Sequence, residues 1–406
     1  MRRNLYHSLL SLLLVLAVTG CASTPIHTAV PEPLVADAVV DGFTPDIRSW
    51  GDEPTENLDR TIEKRIARYR EANTDYYKLH KKYPPMDYLA LSGGSNNGAF
   101  AAGVICGWTK AGTRPQFSIV TGVSTGALIV PFAFLGSKYD DILKQEYTTV
   151  NSDDIFLGDA WTALRGITGG MSLVDTTPLK QRIDAIITPE LFAEIAAEHR
   201  KGRRLLIGTT NLEAQRSVIW NIGDIATSGN PEKGLELFKK ILLASAAVPG
   251  IFEPILIDVT AGGKHYEEIH VDGGVTSQVF LFPLKSTHMD KKAFAKYGIE
   301  RNLYIIRNGK ISPDYQEMKP MVFSLSQRSI ETLIKYQGTG DLYRLYSGAV
   351  RDGMNYRLAY IPSEFNEKSL EAFDPVYMSK LFDIGYNLNQ DGNLWLKAPP
   401  GIEYID

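Results

Sequence analysis

Apolar positions in this chain alternate between two spacings along most of its length. Short runs that are apolar almost throughout, Tyr88–Leu91, Phe117–Val120, Arg204–Thr209 and Asn302–Arg307, read as buried strands. Between them, Ala99–Lys110, Ala127–Leu135 and Leu235–Ala247 carry apolar residues at helical spacing. Ser217–Asn221 reads as a further strand. Pro254–His270 reads as two strands joined across Ala261-Gly262-Gly263-Lys264, the second ending at Asp272. Strands alternating with helices predict an α/β fold, a mainly parallel central sheet with helices on both faces. A helix around Ser324–Leu345, a strand at Tyr356–Ile361 and a helix at Pro375–Asn387 follow. Residues 311–406 are therefore expected to extend the same domain.

The N-terminal pattern is different. Arg2 and Arg3 precede the apolar run Leu9–Val18, which is of signal-peptide length and well short of the ~20 residues a spanning helix needs. The run ends in Val18-Thr19-Gly20-Cys21, which resembles a bacterial lipoprotein cleavage site. That resemblance implies removal of residues 1–20, acylation of Cys21 and a chain held by lipid at the bacterial envelope. Ala22 in the next position favours the outer membrane if the source is Gram-negative. An ordinary secretory signal with an incidental cysteine is the alternative. Residues 21–83 read as a proline-rich tether followed by a charged, solvated helix over Asp59–Lys82, which Pro84 and Pro85 stop. The main domain begins at residue 84 and runs to about 310.

Composition narrows the classes. The 406 residues are 44% hydrophobic, too apolar for a disordered chain. The 43 basic and 47 acidic side chains leave a net charge of −4, which argues against a nucleic-acid binder. There are two cysteines. With Cys21 acylated, Cys106 has no partner for a disulfide, and its apolar helical surroundings make it a small core residue.

Three elements carry candidate chemistry, each at the carboxyl end of an expected strand, where open α/β sheets form their ligand sites. Gly122-Val123-Ser124-Thr125-Gly126, between a strand and a helix, fits a nucleophile elbow. The helix start behind Ser124 favours developing negative charge. Taken alone, the motif is also what a tight strand–helix turn with a capping serine looks like. Ser92-Gly93-Gly94-Ser95-Asn96-Asn97-Gly98 also opens a helix, and its amides could cradle an anion. No lysine follows as a phosphate-binding P-loop requires, so an oxyanion is the better fit. Asp272-Gly273-Gly274 offers a carboxylate at a turn.

In that order, the three elements resemble the patatin-like phospholipases. Ala244–Pro254 (ASAAVPGIFEP) is similar to the helix and loop that precede the family's aspartate strand. The resemblance covers about residues 86–310. It implies a lipid acyl hydrolase with a Ser–Asp dyad: Ser124 as nucleophile, Asp272 as base, and the amides of Gly93, Gly94 and Ser95 as oxyanion hole. Gly98, Gly122, Gly126, Gly273 and Gly274 are the motif glycines. The family loop usually reads G-G-G-x-R-G. Here Ser95 replaces the third glycine and Asn97 the basic residue, so Ser95 must reach a positive φ and Asn97 is at most a neutral donor.

A histidine triad is the competing mechanism. Only His288 follows Asp272, in the polar Lys285-Ser286-Thr287-His288 segment. His265 or His270 could instead pair with Asp258, although His270 reads better as a structural neighbour of Asp272. Glu267-Glu268 reads as a solvated hairpin face. No His, Cys or acidic cluster has metal-ligand spacing, so no cofactor or metal is implied. Membrane lipids are the expected substrate. A catalytically weak or inactive lipoprotein tethering envelope components, and an esterase or thioesterase on small substrates, are the other readings.

Overall fold

A computed structural model describes residues 27–53, 66–158, 171–281, 294–389 and 394–402. Cys21, His7 and His288 lie outside the described residues.

One ten-stranded sheet organises the described chain. Its strands are β1 (Val39–Val40), β2 (Arg48–Trp50), β3 (Met86–Leu91), β4 (Ile119–Val123), β5 (Arg204–Asn211), β6 (Arg216–Asn221), β7 (Ile255–Ala261), β8 (Lys264–Asp272), β9 (Arg301–Arg307) and β10 (Asn355–Tyr360). The order is β1-β7-β8-β5-β4-β3-β9-β10, with β6 also on β5 and β2 on β6. The central strands β5-β4-β3-β9-β10 run parallel, as their uninterrupted apolar texture requires. The strands on the β5 side are antiparallel.

Helices cover both faces: α1 (Thr74–His80), α2 (Gly98–Lys110), α3 (Thr125–Leu135), α4 (Asp140–Thr148), α5 (Thr177–Ile186), α6 (Pro189–Arg200), α7 (Ile222–Ala226), α8 (Pro231–Ala246), α9 (Val322–Asp352) and α10 (Pro375–Leu388). Alternation along β3 divides the interior into two cores. Leu89 and Leu91 join the core under α2, α3, α8 and α10, whereas Tyr88 and Ala90 join a second core with Leu342 and Ala349 of α9. Cys106 is buried in the first core and unpaired by any disulfide, and burial pushes its thiol up to about 12.

Three differences from the sequence expectations stand out. Helices α4, α5 and α6 arise from residues 136–203, to which no element was assigned. Part of the proline-rich stretch is not free chain: β1 pairs with β7 and β2 with β6. Glu268 is not solvated. It is buried, and Arg48 from β2 and His270 both bind its carboxylate, holding it down at about 2. The arginine that decides this lies far away in sequence.

The C-terminal stretch is built into the same body. β10 adds to the sheet, and α10 packs on α2 so closely that a Cβ at Gly103 would lie 2.0 Å from the Phe382 carbonyl oxygen. Gly103→Val is therefore expected to cost about 1–3 kcal/mol through overpacking, read as a lower urea midpoint. Gly348→Ala in α9, where a Cβ meets nothing within 4 Å, is expected to gain several tenths of a kcal/mol, by ~0.5.

Candidate active site

Sheet register brings the three motif loops to one level. Leu91 pairs with Gly122, Val123 with Gly208, and Thr209 with Asp272. The ends of β3, β4, β5 and β8 thus lie side by side. Strand β8 reaches this edge in an unexpected way. It runs antiparallel to β5 and pairs with it only through its last three residues, His270 to Asp272, so its carboxyl end still meets that of β5.

Ser124 sits between β4 and α3 with φ 55° and ψ −128°, a left-handed conformation that costs a non-glycine residue about 1–2 kcal/mol. The turn is closed by contacts only glycine allows. A Cβ at Gly122 would lie 2.6 Å from the Gly126 carbonyl oxygen, and one at Gly126 would lie 2.6 Å from that of Leu91. Ser245 of α8 pins the turn: its hydroxyl accepts from the Ser124 N–H at 3.0 Å and donates to the Gly208 carbonyl at 2.7 Å.

The Ser124 side chain lies beside the Asp272 carboxylate and helps to hold its pKa down. The Gly274 N–H donates to the same carboxylate at 2.7 Å. Asp272 is buried, and desolvation outweighs both and raises it to about 6. The Asp272 N–H donates in turn to the Ala247 carbonyl at 2.9 Å, so the Ala244–Pro254 stretch braces the aspartate.

The glycine-rich loop lies against the serine. A Cβ on Gly93 would lie 3.2 Å from the Ser124 Cβ. The Gly93 N–H is already engaged, however, donating to the Gln278 carbonyl at 3.0 Å, so it is not available to an oxyanion in this geometry. Among the described residues the amides of Gly94 and Ser95 have no partner. Ser95 does adopt a positive φ, 53°, where the family has glycine. Asn97 is turned away and accepts from the Tyr377 hydroxyl of α10 at 2.6 Å.

Residues the sequence reading passed over complete the surroundings. Gln278 bridges two motifs, because its carbonyl holds Gly93 and its side-chain amide donates to the Gly274 carbonyl at 2.8 Å. Asp341 of α9 fixes Gln278 by accepting its N–H at 2.6 Å. Arg307, buried at the end of β9, reaches the Gln278 side chain at 3.5 Å, and burial lowers its guanidinium to about 10. Asn308 clasps Ser92 through two bonds, 2.8 and 2.9 Å. The only signal in the sequence for Arg307 and Asn308 was their place at a strand's carboxyl end; Gln278 gave none.

The histidines are elsewhere. His270 is buried between Thr209 and Glu268, and desolvation lowers its pKa. His265 faces Asp41 and Asp258 on the exposed hairpin. Among the described residues no His, Cys, Asp or Glu group could hold a metal ion.

A cavity of about 230 Å³ opens at Ser124 and Ser95. Its walls are apolar side chains such as Leu128, Phe132, Ile155, Ile183, Ile187 and Phe252, drawn from α3, α5 and their loops. The arrangement is a strained serine next to a buried carboxylate, beside free amides and a greasy hole.

Residues 89–285 match the family model for patatin-like phospholipases. The stretch that holds Ser124 and Asp272 is thus similar to a patatin-like phospholipase domain. No curated protein matches the sequence. Among solved structures, VipD from Legionella pneumophila is 12% identical over 76% of this chain and 66% of its own, with a TM-score of 0.39. ExoU in complex with SpcU, from Pseudomonas aeruginosa, is 13% identical over 77% of this chain and 52% of its own, with a TM-score of 0.30. Human GIVD cytosolic phospholipase A2, bound to methyl gamma-linolenyl fluorophosphonate, is 9% identical over 85% and 64%, with a TM-score of 0.28. This chain spans less than two thirds of the length of each.

Burying a carboxylate has a pH signature. Because the folded pKa of Asp272 lies above its unfolded value, its contribution to stability is full below about pH 4 and is lost as pH rises through about 6. Asp272→Asn removes that penalty. Thermal unfolding is expected to show the variant gaining on the parent by up to ~3 kcal/mol above pH 6 and losing the advantage near pH 4.

Proposed function

We propose that the chain is a serine acyl hydrolase that cleaves carboxylic esters of membrane lipids, phospholipids first among them, through a Ser124–Asp272 dyad. The main support is the placement of the strained Ser124 side chain beside a buried carboxylate, at the mouth of an apolar cavity. Asp272 accepts the hydroxyl proton as Ser124 Oγ attacks the ester carbonyl carbon. With its pKa near 6, the carboxylate is a far better base than a solvated aspartate. The Gly94 and Ser95 amides stabilise the oxyanion, and the positive end of α3 adds to them. Collapse expels the alcohol or lyso-lipid, which takes the proton from Asp272. Water, deprotonated by the same carboxylate, then attacks the acyl-enzyme and releases the fatty acid. The acyl chain occupies the cavity, whose apolar walls favour a hydrocarbon.

The lipoprotein-like Val18–Cys21 stretch supports a chain anchored by lipid in the bacterial envelope, close to an insoluble substrate. Incorporation of labelled fatty acid that is lost in Cys21→Ser is the expected result.

Ser124→Ala is expected to abolish labelling by a fluorophosphonate probe and to lower ester hydrolysis by at least ~10³-fold. Asp272→Asn should lower kcat comparably while the protein remains folded. Folded parent protein that neither labels nor hydrolyses lipid would instead favour the tethering role. In the parent, activity should fall as pH drops through about 6, because the base is then protonated. A profile flat from pH 5 to pH 8 would remove Asp272 from the base role.

A further inference from the structure

Helix α9 changes its outward chemistry halfway along. Its C-terminal half covers the sheet: Leu342 and Ala349 are buried, and Leu345 packs beside them. Its direction is fixed at both ends of β9. Gly338 lies against the Arg307 guanidinium, and Arg301 at the other end of the strand bonds the Asp352 carbonyl. The helix therefore runs antiparallel to β9, and residues 322–337 project ~24 Å past the carboxyl edge that holds the active site.

On this projecting half the apolar stripe lies on the opposite side of the helix. Val322, Leu325, Ile330, Leu333, Ile334 and Tyr336 fall within one half of the circumference at ~3.6 residues per turn. All six are exposed, Val322 at 84%, Leu333 at 70% and Tyr336 at 69%. The inner side is polar. Arg328 and Lys335 are half-buried there and bond the carbonyls of Asp314 and Ser312 in the preceding segment. An amphipathic helix that turns its apolar side outward, with long basic side chains on the other, has the form of an interfacial helix.

The base of the projecting half is tied to the turn that carries Asp272, and exposed apolar side chains lie on the loops that line the cavity. At its base, Gln337 donates to the Val275 carbonyl at 3.1 Å, beside the Asp272 turn, and Val275 is itself exposed. Across the opening, Ile251 both lines the cavity and faces solvent. Leu370, 93% exposed, precedes Ala372 and Phe373 of the cavity wall, and its neighbour Ser369 is bonded by Asn96 of the glycine-rich loop. Greasy side chains thus stand on the projecting helix, on the rim and in the hole.

We infer that this face, the outer side of residues 322–336 with the rim at Ile251, Val275 and Leu370, docks on a lipid bilayer and sets the active-site mouth against it. The inference deepens the proposed function and rests on it for the direction of substrate entry. A bilayer is the occupant because the exposed apolar side chains stand on the same edge as the apolar cavity that opens at Ser124, which has the chemistry of a hydrocarbon site. The projecting half holds Arg328 and Lys335 against Glu331, so attachment depends on apolar burial more than on anionic lipid.

The test uses the full chain with Cys21→Ser and Ser124→Ala, which cannot be acylated and does not consume lipid. Cys106 is buried, so Leu333→Cys supplies one accessible thiol for an environment-sensitive fluorophore, and Glu331→Cys supplies the same on the polar side. With phosphatidylcholine vesicles carrying a bilayer nitroxide, the label at 333 is expected to be quenched and the label at 331 much less so. In protein that retains Ser124, Ile330→Ser with Leu333→Ser should lower hydrolysis of vesicle lipid by about tenfold and leave kcat/KM on a monomeric short-chain ester unchanged. Equal quenching at both positions, or none, overturns the inference. So does binding that requires phosphatidylglycerol, or a dimer in sedimentation velocity that the two serine substitutions dissolve. If the hydrolase reading itself is wrong, esters survive in every form while the quenching result stands unaffected.

Discussion

The level at which four strand ends stop is the constraint on which the site depends. Because Leu91, Gly122, Val123, Gly208 and Thr209 are locked in register across β3, β4 and β5, the loops that leave these strands start in one row. Strand β8 enters from the opposite direction and ends on that row at Asp272. A shift of one residue in any of these pairings would turn the side chain of Ser124 or Asp272 to the other face of the sheet and separate them. The strained backbone at Ser124 persists because Ser245 and the two close glycine approaches over-determine it.

Burial sets the electrostatics around this pair. Desolvation raises Asp272 toward neutral pH, while the Gly274 amide keeps the carboxylate oriented. Gln278 joins the glycine loop to the aspartate turn, and Asp341 fixes Gln278 in turn, so the two halves of the site cannot move independently. The bond that ties the Gly93 amide to Gln278 occupies it and leaves the next two amides of the loop without a partner. Family resemblance had assigned three donors in the loop; a hydrogen bond from a residue outside every motif reduces them to two.

The apolar cavity and the projecting helix come from parts of the chain without a motif. The cavity walls draw on α5, within a stretch that gave no clear pattern, and on loops brought together by the fold. The projecting half of α9 is legible as a helix from its sequence, but its average amphipathicity is hidden because the two halves present opposite sides. Only the packing of the C-terminal half on the sheet defines which direction is outward for the other.

The sequence by itself determined the strand–helix alternation, the parallel centre of the sheet, and the places of Ser124, Asp272 and the glycine-rich loop. These are written in local patterns: apolar runs, helical periodicity and glycines where a turn is too tight for a side chain. Tertiary structure decided which polar groups are buried and what they touch. Glu268 reads as a surface residue until Arg48 arrives from β2. Asn97 reads as a stand-in for a cation until Tyr377 claims it from α10. Such partners lie tens to hundreds of positions away. Hydrogen bonding and desolvation act through space, and a single sequence read along its length carries no record of those distances.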